Sequence, residues 1–161
     1  MKKIISFVLC FFFLGLFVFA QSKAIAPSFC GVTLGDSRDS IASTLNKKGF
    51  YTENNEVFMN VGINANAYKF DGYLISVIAM NYDGTKSYGL SLGFDKNIKY
   101  ENLKQSLASY LAKNYKKREK RQSTSPLTEA WIVDDAYLVA VTTDGTKSFI
   151  YFYDMTYVTV D

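Results

Sequence analysis

The sequence of 161 residues contains no histidine. This absence excludes Ser–His and Cys–His nucleophile pairs, histidine-ligated metals and the usual general base at neutral pH. The chain also has no acidic loop of the EF-hand type, no prominent pair of acids for glycoside chemistry and no phosphate-cradling loop. We therefore predict that the protein is not an enzyme, with no catalytic residues, no metal and no cofactor.

Cysteines are almost absent, since the chain has only Cys10 and Cys30. Cys10 lies in an N-terminal apolar run, so Cys30 is the single cysteine expected in the mature protein. A lone cysteine in an exported protein is buried, reactive or paired with a second chain. Burial beside Phe29 is favoured because free cysteines are among the most buried residues, but the sequence leaves all three fates open.

The N-terminus has the features of an export signal. Lys2 and Lys3 precede an apolar run over 4–19, and Ala20 offers the small residue that a signal peptidase needs. We predict a signal peptide at 1–20. The alternative is an uncleaved anchor, although the run is shorter than the ~20 residues of a bilayer span. The mature protein is therefore expected to be periplasmic or secreted and not membrane-spanning.

The remaining chain is close to electrically neutral. Loss of two lysines with the signal leaves 16 basic and 15 acidic residues, and such a balance gives no indication of nucleic-acid binding. Residues 21–28 are predicted to form a flexible N-terminal lead. Residues 29–161 have the length of one domain.

Hydrophobic periodicity predicts two helices separated by strands. Helices are expected at about 37–48 and 99–114, the second with leucines at every fourth position on one face. The intervening region has turn signals, including a first hairpin near Gly62 and a second at 71–72. We predict an α+β fold in which an antiparallel sheet carries both helices on one face.

Two pairs of segments in the chain are similar to each other. Residues 40–47 resemble 106–113, and residues 83–88 resemble 144–149. One interpretation is a tandem α-β-β-β duplication. The other is coincidence, because amphipathic helices reuse the same residues and Asp-Gly turns are common.

The start of the predicted domain also resembles a known group of proteins. The segment FCGVTLGDS at 29–37, followed by a helix ending in KKGF at 47–50, looks like small uncharacterised exported proteins of Bacteroidetes. The tandem layout resembles, at the level of the fold, β-lactamase-inhibitor-protein-like domains and outer-membrane-assembly lipoproteins. That resemblance implies a binding or scaffolding role, and it transfers no functional residues. The chain lacks the lipidated cysteine of the assembly lipoproteins.

A basic cluster follows the second helix, and it consists of Lys116, Lys117, Arg118, Lys120 and Arg121. One interpretation is a contact surface for an anion or lipid. The other is structural, because cations stabilise helix C-termini and charged residues protect sheet edges from aggregation.

Aromatic residues are concentrated near the C-terminus. If one sheet face meets the helices, the other can display an aromatic surface, for which the candidates are Trp131, Tyr137, Tyr151, Tyr153 and Tyr157. A sheet buried on both sides or a homodimer interface would explain the same residues. Our preferred function is a non-catalytic exported binding or scaffolding module that recognises an envelope protein, peptide or glycan through this face.

The weakest alternative function is that of a serine hydrolase. Residues 89–93, Gly-Leu-Ser-Leu-Gly, match the nucleophile-elbow pattern with Ser91 as nucleophile. The elbow requires a sharp turn between a strand and a helix, whereas Ser91 is predicted to lie within a strand. A lysine would have to serve as its base.

Overall fold

A computed structural model describes residues 24–53, 56–59, 68–95, 97–123 and 125–158, with the backbone alone at 51–53 and 56–59. The predicted signal peptide and the hairpin predicted near Gly62 therefore lie outside the described residues. The elements follow in the order β1 (Ser28–Phe29), β2 (Val32–Thr33), α1 (Arg38–Asn46), β3 (Phe50–Glu53), β4 (Glu56–Met59), β5 (Lys69–Phe70), β6 (Tyr73–Asp83), β7 (Lys86–Phe94), α2 (Tyr100–Asn114), β8 (Arg118–Arg121), β9 (Thr128–Val133), β10 (Tyr137–Thr143) and β11 (Ser148–Asp154).

Both helices form where the sequence predicts them. Ser37 caps α1, because its hydroxyl oxygen accepts a hydrogen bond from the Ser40 N–H at 3.3 Å. The helix ends at Asn46, and Gly49 then adopts a left-handed φ of 84°, as expected for a residue that terminates a helix. Along α2, the apolar face predicted from the sequence is buried at Leu103, Leu107 and Leu111.

The main sheet is antiparallel, with the strand order β3-β4-β6-β7-β11-β10-β9-β8 and with β5 paired to β6. Strands β3, β4, β6 and β7 follow α1, strands β8 to β11 follow α2, and the two groups meet at β7 and β11. Each group places four strands in this order, whereas three were expected. The two pairs of similar segments lie on equivalent elements, namely the helices and the turns that lead into β7 and β11.

One hydrophobic core lies between the sheet and the helices, so the predicted α+β architecture with both helices on one face is confirmed. The helix-facing side chains alternate along each central strand, as the two-residue period of a strand requires. A register shift between Ile75 and Val77 changes this alternation in β6. Fully buried members of the core include Ile41, Leu45, Ile75, Ile78, Leu90, Leu92, Phe94, Leu103, Leu107, Leu111, Val139, Val141, Ile150 and Phe152.

The hairpin turns follow the predicted chemistry. At the β5–β6 turn, Asp71 and Gly72 have φ values of 48° and 87°, as a two-residue hairpin requires. At the β9–β10 turn, Asp134 and Asp135 are also left-handed. The sequence did not predict the β3–β4 hairpin, in which Phe50 is paired with Met59.

The described part of the N-terminal lead contacts the domain. Ala24 and Ala26 are partly buried against the hydrophobic core. The carbonyl of Pro27 accepts a hydrogen bond from the Leu34 N–H at 2.9 Å. Within the described part of the lead, Ala24, Ala26 and Pro27 therefore contact the domain, whereas Ile25 is 71% exposed.

Candidate functional site: an aromatic stripe on the outer sheet face

The sheet face opposite the helices, called here the outer face, has a continuous row of aromatic rings. Phe149, Tyr151 and Tyr153 alternate along β11, with ring centroids 6.0 and 6.1 Å apart and interplanar angles of 28° and 8°. Tyr88 continues the row 6.5 Å from Tyr153, and Tyr157 stacks on Tyr88 at 5.3 Å. We call these residues the aromatic stripe. Contacts between aromatic rings at such distances stabilise their arrangement.

Small residues on β7 provide the space for the stripe. The register pairs Tyr153 with Gly89, Tyr151 with Ser91 and Phe149 with Gly93. A Cβ atom at Gly89 would lie only 2.5 Å from Cε1 of Tyr153, and one at Gly93 would lie 3.3 Å from Cε1 of Phe149. The rings therefore lie across the neighbouring strand, and the Gly-x-Ser-x-Gly pattern is explained by packing.

The outer face carries apolar and uncharged polar residues along β6, β7, β9, β10 and β11. Besides the stripe, the register places on it Val77, Ala79, Asn81, Thr128, Ala130, Ile132, Leu138, Ala140 and Thr142. Charged residues lie on this side toward the two edges of the sheet. Glu119 and Arg121 on β8 pair with each other at 3.3 Å, and the register places Glu56 of β4 opposite Ala79. The center of the face therefore offers apolar contact without a charge.

Two tyrosines of the stripe have a raised pKa. Burial raises the pKa of Tyr151, and the negative charge of Asp144 adds to this effect. Burial also raises the pKa of Tyr153, and the neighbouring Tyr151 adds to this effect. Tyr157 is 46% exposed, whereas the other rings are partly buried. The stripe thus has partly exposed rings with polar hydroxyl groups.

Two of the predicted surface residues lie on the opposite side of the sheet, which corrects the expectation that all five share one face. Tyr137 is only 7% exposed and belongs to the hydrophobic core, and Trp131 packs against that core. Trp131 is paired with Val139, a buried helix-facing residue. Tyr151, Tyr153 and Tyr157 remain on the aromatic stripe.

The sequence reasoning omitted Tyr88 and the two glycines from the site. Tyr88 lies where the β6–β7 register shifts, since Asn81 pairs with Gly89 and Tyr82 pairs with Ser87. This irregularity brings its ring next to Tyr153 and Tyr157. The spacing of the two glycines was visible in the sequence. Only the pairing of β7 with β11 shows that both glycines lie beneath aromatic rings.

The basic cluster has most of its charge neutralised by neighbouring carboxylates. Lys117 pairs with Asp135 at 2.6 Å, and Lys120 pairs with Glu129 at 2.9 Å. Arg121 pairs with Glu119, and Arg118 donates a long hydrogen bond of 3.5 Å to the Leu111 carbonyl at the end of α2. Lys116 is exposed. These contacts favour the structural interpretation, in which the cations support a helix end and an edge strand.

Ser91 does not have the surroundings of a catalytic serine. It lies in the middle of β7, is 7% exposed and is flanked by the glycines beneath the stripe. The sharp strand-to-helix turn of a nucleophile elbow is not present at this position. Among the residues that the structure describes, no group of three or more His, Cys, Asp or Glu side chains is arranged to hold a metal.

Cys30 is half-buried in the β1–β2 turn, with a φ of 54°. Burial raises the pKa of its thiol to about 11, although the charge of Lys48 opposes this shift. The thiol is therefore protonated at neutral pH and is a poor nucleophile.

Comparison of the chain with protein-family models, curated proteins and solved structures finds no match. Within the described ranges, no helix has both the length and the apolar character needed to cross a membrane. The resemblances noted in the sequence therefore remain predictions.

Proposed function

We propose that the protein is a non-catalytic, exported binding module and that its partner is a protein or peptide docked on the aromatic stripe. The observation that supports this proposal most directly is the continuous row of ring contacts from Phe149 to Tyr157 on the face opposite the helices. Aromatic residues are enriched in protein–protein interfaces, and tyrosine is prominent among the residues that contribute most to affinity.

The distribution of charge favours a protein partner over an anion. The center of the outer face has tyrosine, small and β-branched residues and no charge, and depletion of charge is typical of an interface core. The hydroxyl groups of the exposed tyrosines can form hydrogen bonds at its rim. By contrast, much of the basic cluster is already engaged in ion pairs, which weakens the alternative of an anion- or lipid-binding protein.

The experiment is an affinity capture from envelope extract of the source organism, with three forms of the protein. The first is wild type, and the second is a stripe variant, Tyr151→Thr with Tyr157→Ser. The third is a control, Leu127→Ser, which removes an apolar side chain that is 48% exposed in the loop before β9. Bound proteins are identified after washing at low and then high salt.

We expect one partner to be retained by wild type and the control and to be reduced about tenfold or more by the stripe variant, as for loss of an interface hot spot. The complex should survive high salt because apolar contacts are not screened. Equal capture by the stripe variant would contradict the proposal. A partner lost at high salt would support the basic cluster. Concentration-dependent dimerisation abolished in the stripe variant would identify a second copy of the chain as the occupant.

A further inference from the structure

A cleft on the helix side of the sheet is separate from the aromatic stripe. It has a volume of about 430 Å³ and lies between α2, the β1–β2 turn and the β5–β6 turn. Small-molecule sites in proteins have volumes in the range of about 300–1,000 Å³ and combine apolar walls with a few polar groups. The cleft has both properties.

Aromatic rings form the apolar wall of the cleft. The rings of Phe29, Phe70 and Tyr110 contact one another, with centroid separations of 5.4 to 5.7 Å. The Tyr110 ring also packs edge-on against the ring of Tyr115, with centroids 6.3 Å apart, which holds it in place. Burial raises the pKa of Tyr110. The cleft therefore presents a preorganised surface for a flat or alkyl group.

Two hydroxyl groups on α2 line the same cleft. Ser106 belongs to the buried face of α2 and is 8% exposed. Its hydroxyl can donate a hydrogen bond to a ligand in the cleft. Ser109 follows Ser106 by three residues on α2, and it adds an exposed hydroxyl to the lining.

Two lysines give the cleft a positive rim. Lys69 and Lys113 line it, and no ion pair within the described part of the chain involves either of them. Asp71 also lines the cleft, so Lys69, Lys113 and Asp71 together carry a net charge of +1. Lys104 and Lys120 differ, because both pair with Glu129 outside the cleft.

We propose that this cleft binds a small amphipathic carboxylate. Its apolar part lies on the rings of Phe29, Phe70 and Tyr110. Its carboxylate lies at the rim formed by Lys69 and Lys113, and it accepts a hydrogen bond from a serine hydroxyl of α2. Charge-assisted hydrogen bonds to lysine would provide the preference for an anion over a neutral analogue. This site is independent of the function proposed for the stripe.

The test uses the fluorescent amphipathic anion 8-anilinonaphthalene-1-sulfonate as the probe, with protein produced from its full coding sequence. Octanoate and octanol, which share an alkyl chain and differ in charge, compete for the probe. Two cleft variants are compared with wild type, Ser109→Phe to fill the cleft and Lys69→Gln with Lys113→Gln to remove the rim charge. The matched control, Lys86→Gln with Lys99→Gln, removes two exposed lysines elsewhere.

We expect one probe site, displaced by octanoate at a concentration at least about tenfold lower than that of octanol. Both cleft variants should weaken octanoate binding about tenfold, the control should leave it unchanged, and cooperative urea unfolding should show that each variant is folded. The proposal is overturned by no probe binding, by equal competition from octanol, or by unchanged binding in Ser109→Phe. Loss of binding in Tyr151→Thr alone would also overturn it, because the probe would then occupy the stripe.

Discussion

The ring of Tyr153 lies directly over the backbone of Gly89, so that a methyl group at Gly89 would be 2.5 Å from Cε1 and 2.8 Å from Cδ1 of the ring. Gly89 does not have a left-handed φ. Glycine is therefore needed at this position because a side chain would collide with the ring. The contact joins β7 to β11, the two strands at which the halves of the sheet meet. Pairing of an aromatic ring with a glycine on the next strand is a known way to stabilise glycine in a sheet.

We predict that Gly89→Ala destabilises the protein by about 1–3 kcal/mol, the usual cost of overpacking a well-filled position. The ring cannot move freely because it stacks on Tyr151. The measurement is the free energy of unfolding in urea. Gly93→Ala is the matched control and should cost less, since its Cβ would lie 3.2 Å or more from its neighbours.

A double-mutant cycle tests whether the two residues are coupled. Gly89→Ala should cost much less when Tyr153 is also replaced by alanine, because the obstructing ring is gone. An equal cost in both backgrounds would show that the glycine matters for another reason.

Glu129 connects α2 to the edge strand β8. Its carboxylate oxygens lie 3.1 Å from Nζ of Lys104 and 2.9 Å from Nζ of Lys120. Burial alone would raise the pKa of Glu129, but hydrogen bonds and charges from the two lysines outweigh it and lower the pKa. We predict that Glu129→Gln lowers Tm at pH 7 by about 2–4 °C, as expected for loss of a small charge network.

This effect should depend on pH with a defined sign. A carboxylate with a lowered folded-state pKa contributes stability above its ordinary pKa of about 4.3, and the contribution is lost as the pH falls through the lowered value. The Tm difference between wild type and Glu129→Gln should therefore shrink at low pH. Glu119→Gln, at a more exposed pair, should have a smaller effect at pH 7. A difference that grows on acidification would refute this role for Glu129.

Cys30 should react slowly with thiol reagents. With a pKa of about 11, its thiolate fraction at pH 8 is about one in a thousand. We expect labelling of the processed, folded protein by Ellman's reagent at least about 100-fold slower than that of free cysteine, with the rate increasing toward pH 11. Protein unfolded in urea is the control and should react at the rate of a free thiol. Rapid labelling of the folded protein would show that Cys30 is a reactive site.

The β10–β11 turn depends on Asp144. Its Oδ1 atom accepts hydrogen bonds of 2.7 Å from the N–H groups of Lys147 and Thr146 and from the Thr146 hydroxyl. These bonds lower the pKa of Asp144 to about 2, so the turn is stabilised above the ordinary aspartate pKa and weakens as the pH falls through about 2.

NMR titration of the carboxyl group of Asp144 measures this value. Thr146→Ala, which removes one donor, should raise the midpoint toward the ordinary value of about 3.9. A wild-type midpoint already near that value would show that the turn lacks these hydrogen bonds in solution.

Local features of the sequence correctly predicted much of the fold. The four-residue spacing of Leu103, Leu107 and Leu111 predicted α2, because one face of a helix repeats at that interval. Asp71 and Gly72 predicted a hairpin, because few other residues adopt left-handed φ at low cost. The β3–β4 hairpin was missed, because the first hairpin was expected further along the chain, near Gly62.

The sequence could not assign residues of β9 and β10 to a face. Trp131 and Ile132 are both apolar, as are Tyr137 and Leu138, so alternation gives no preference for either side of the sheet. The structure turns Trp131 and Tyr137 toward the core, whereas Tyr151 and Tyr153 face outward. The candidate surface was therefore only partly predicted.

The sequence by itself determined both helices and the Asp71–Gly72 hairpin, because helix periodicity, capping and turn conformation depend on neighbouring residues. Only the tertiary structure decided which elements meet. The pairing of β7 with β11 brings Gly89 under Tyr153, and the packing of α2 beside the β1–β2 and β5–β6 turns brings Ser106 into a cleft with Lys69. Such contacts join residues far apart in the chain, so they depend on how the whole core is filled.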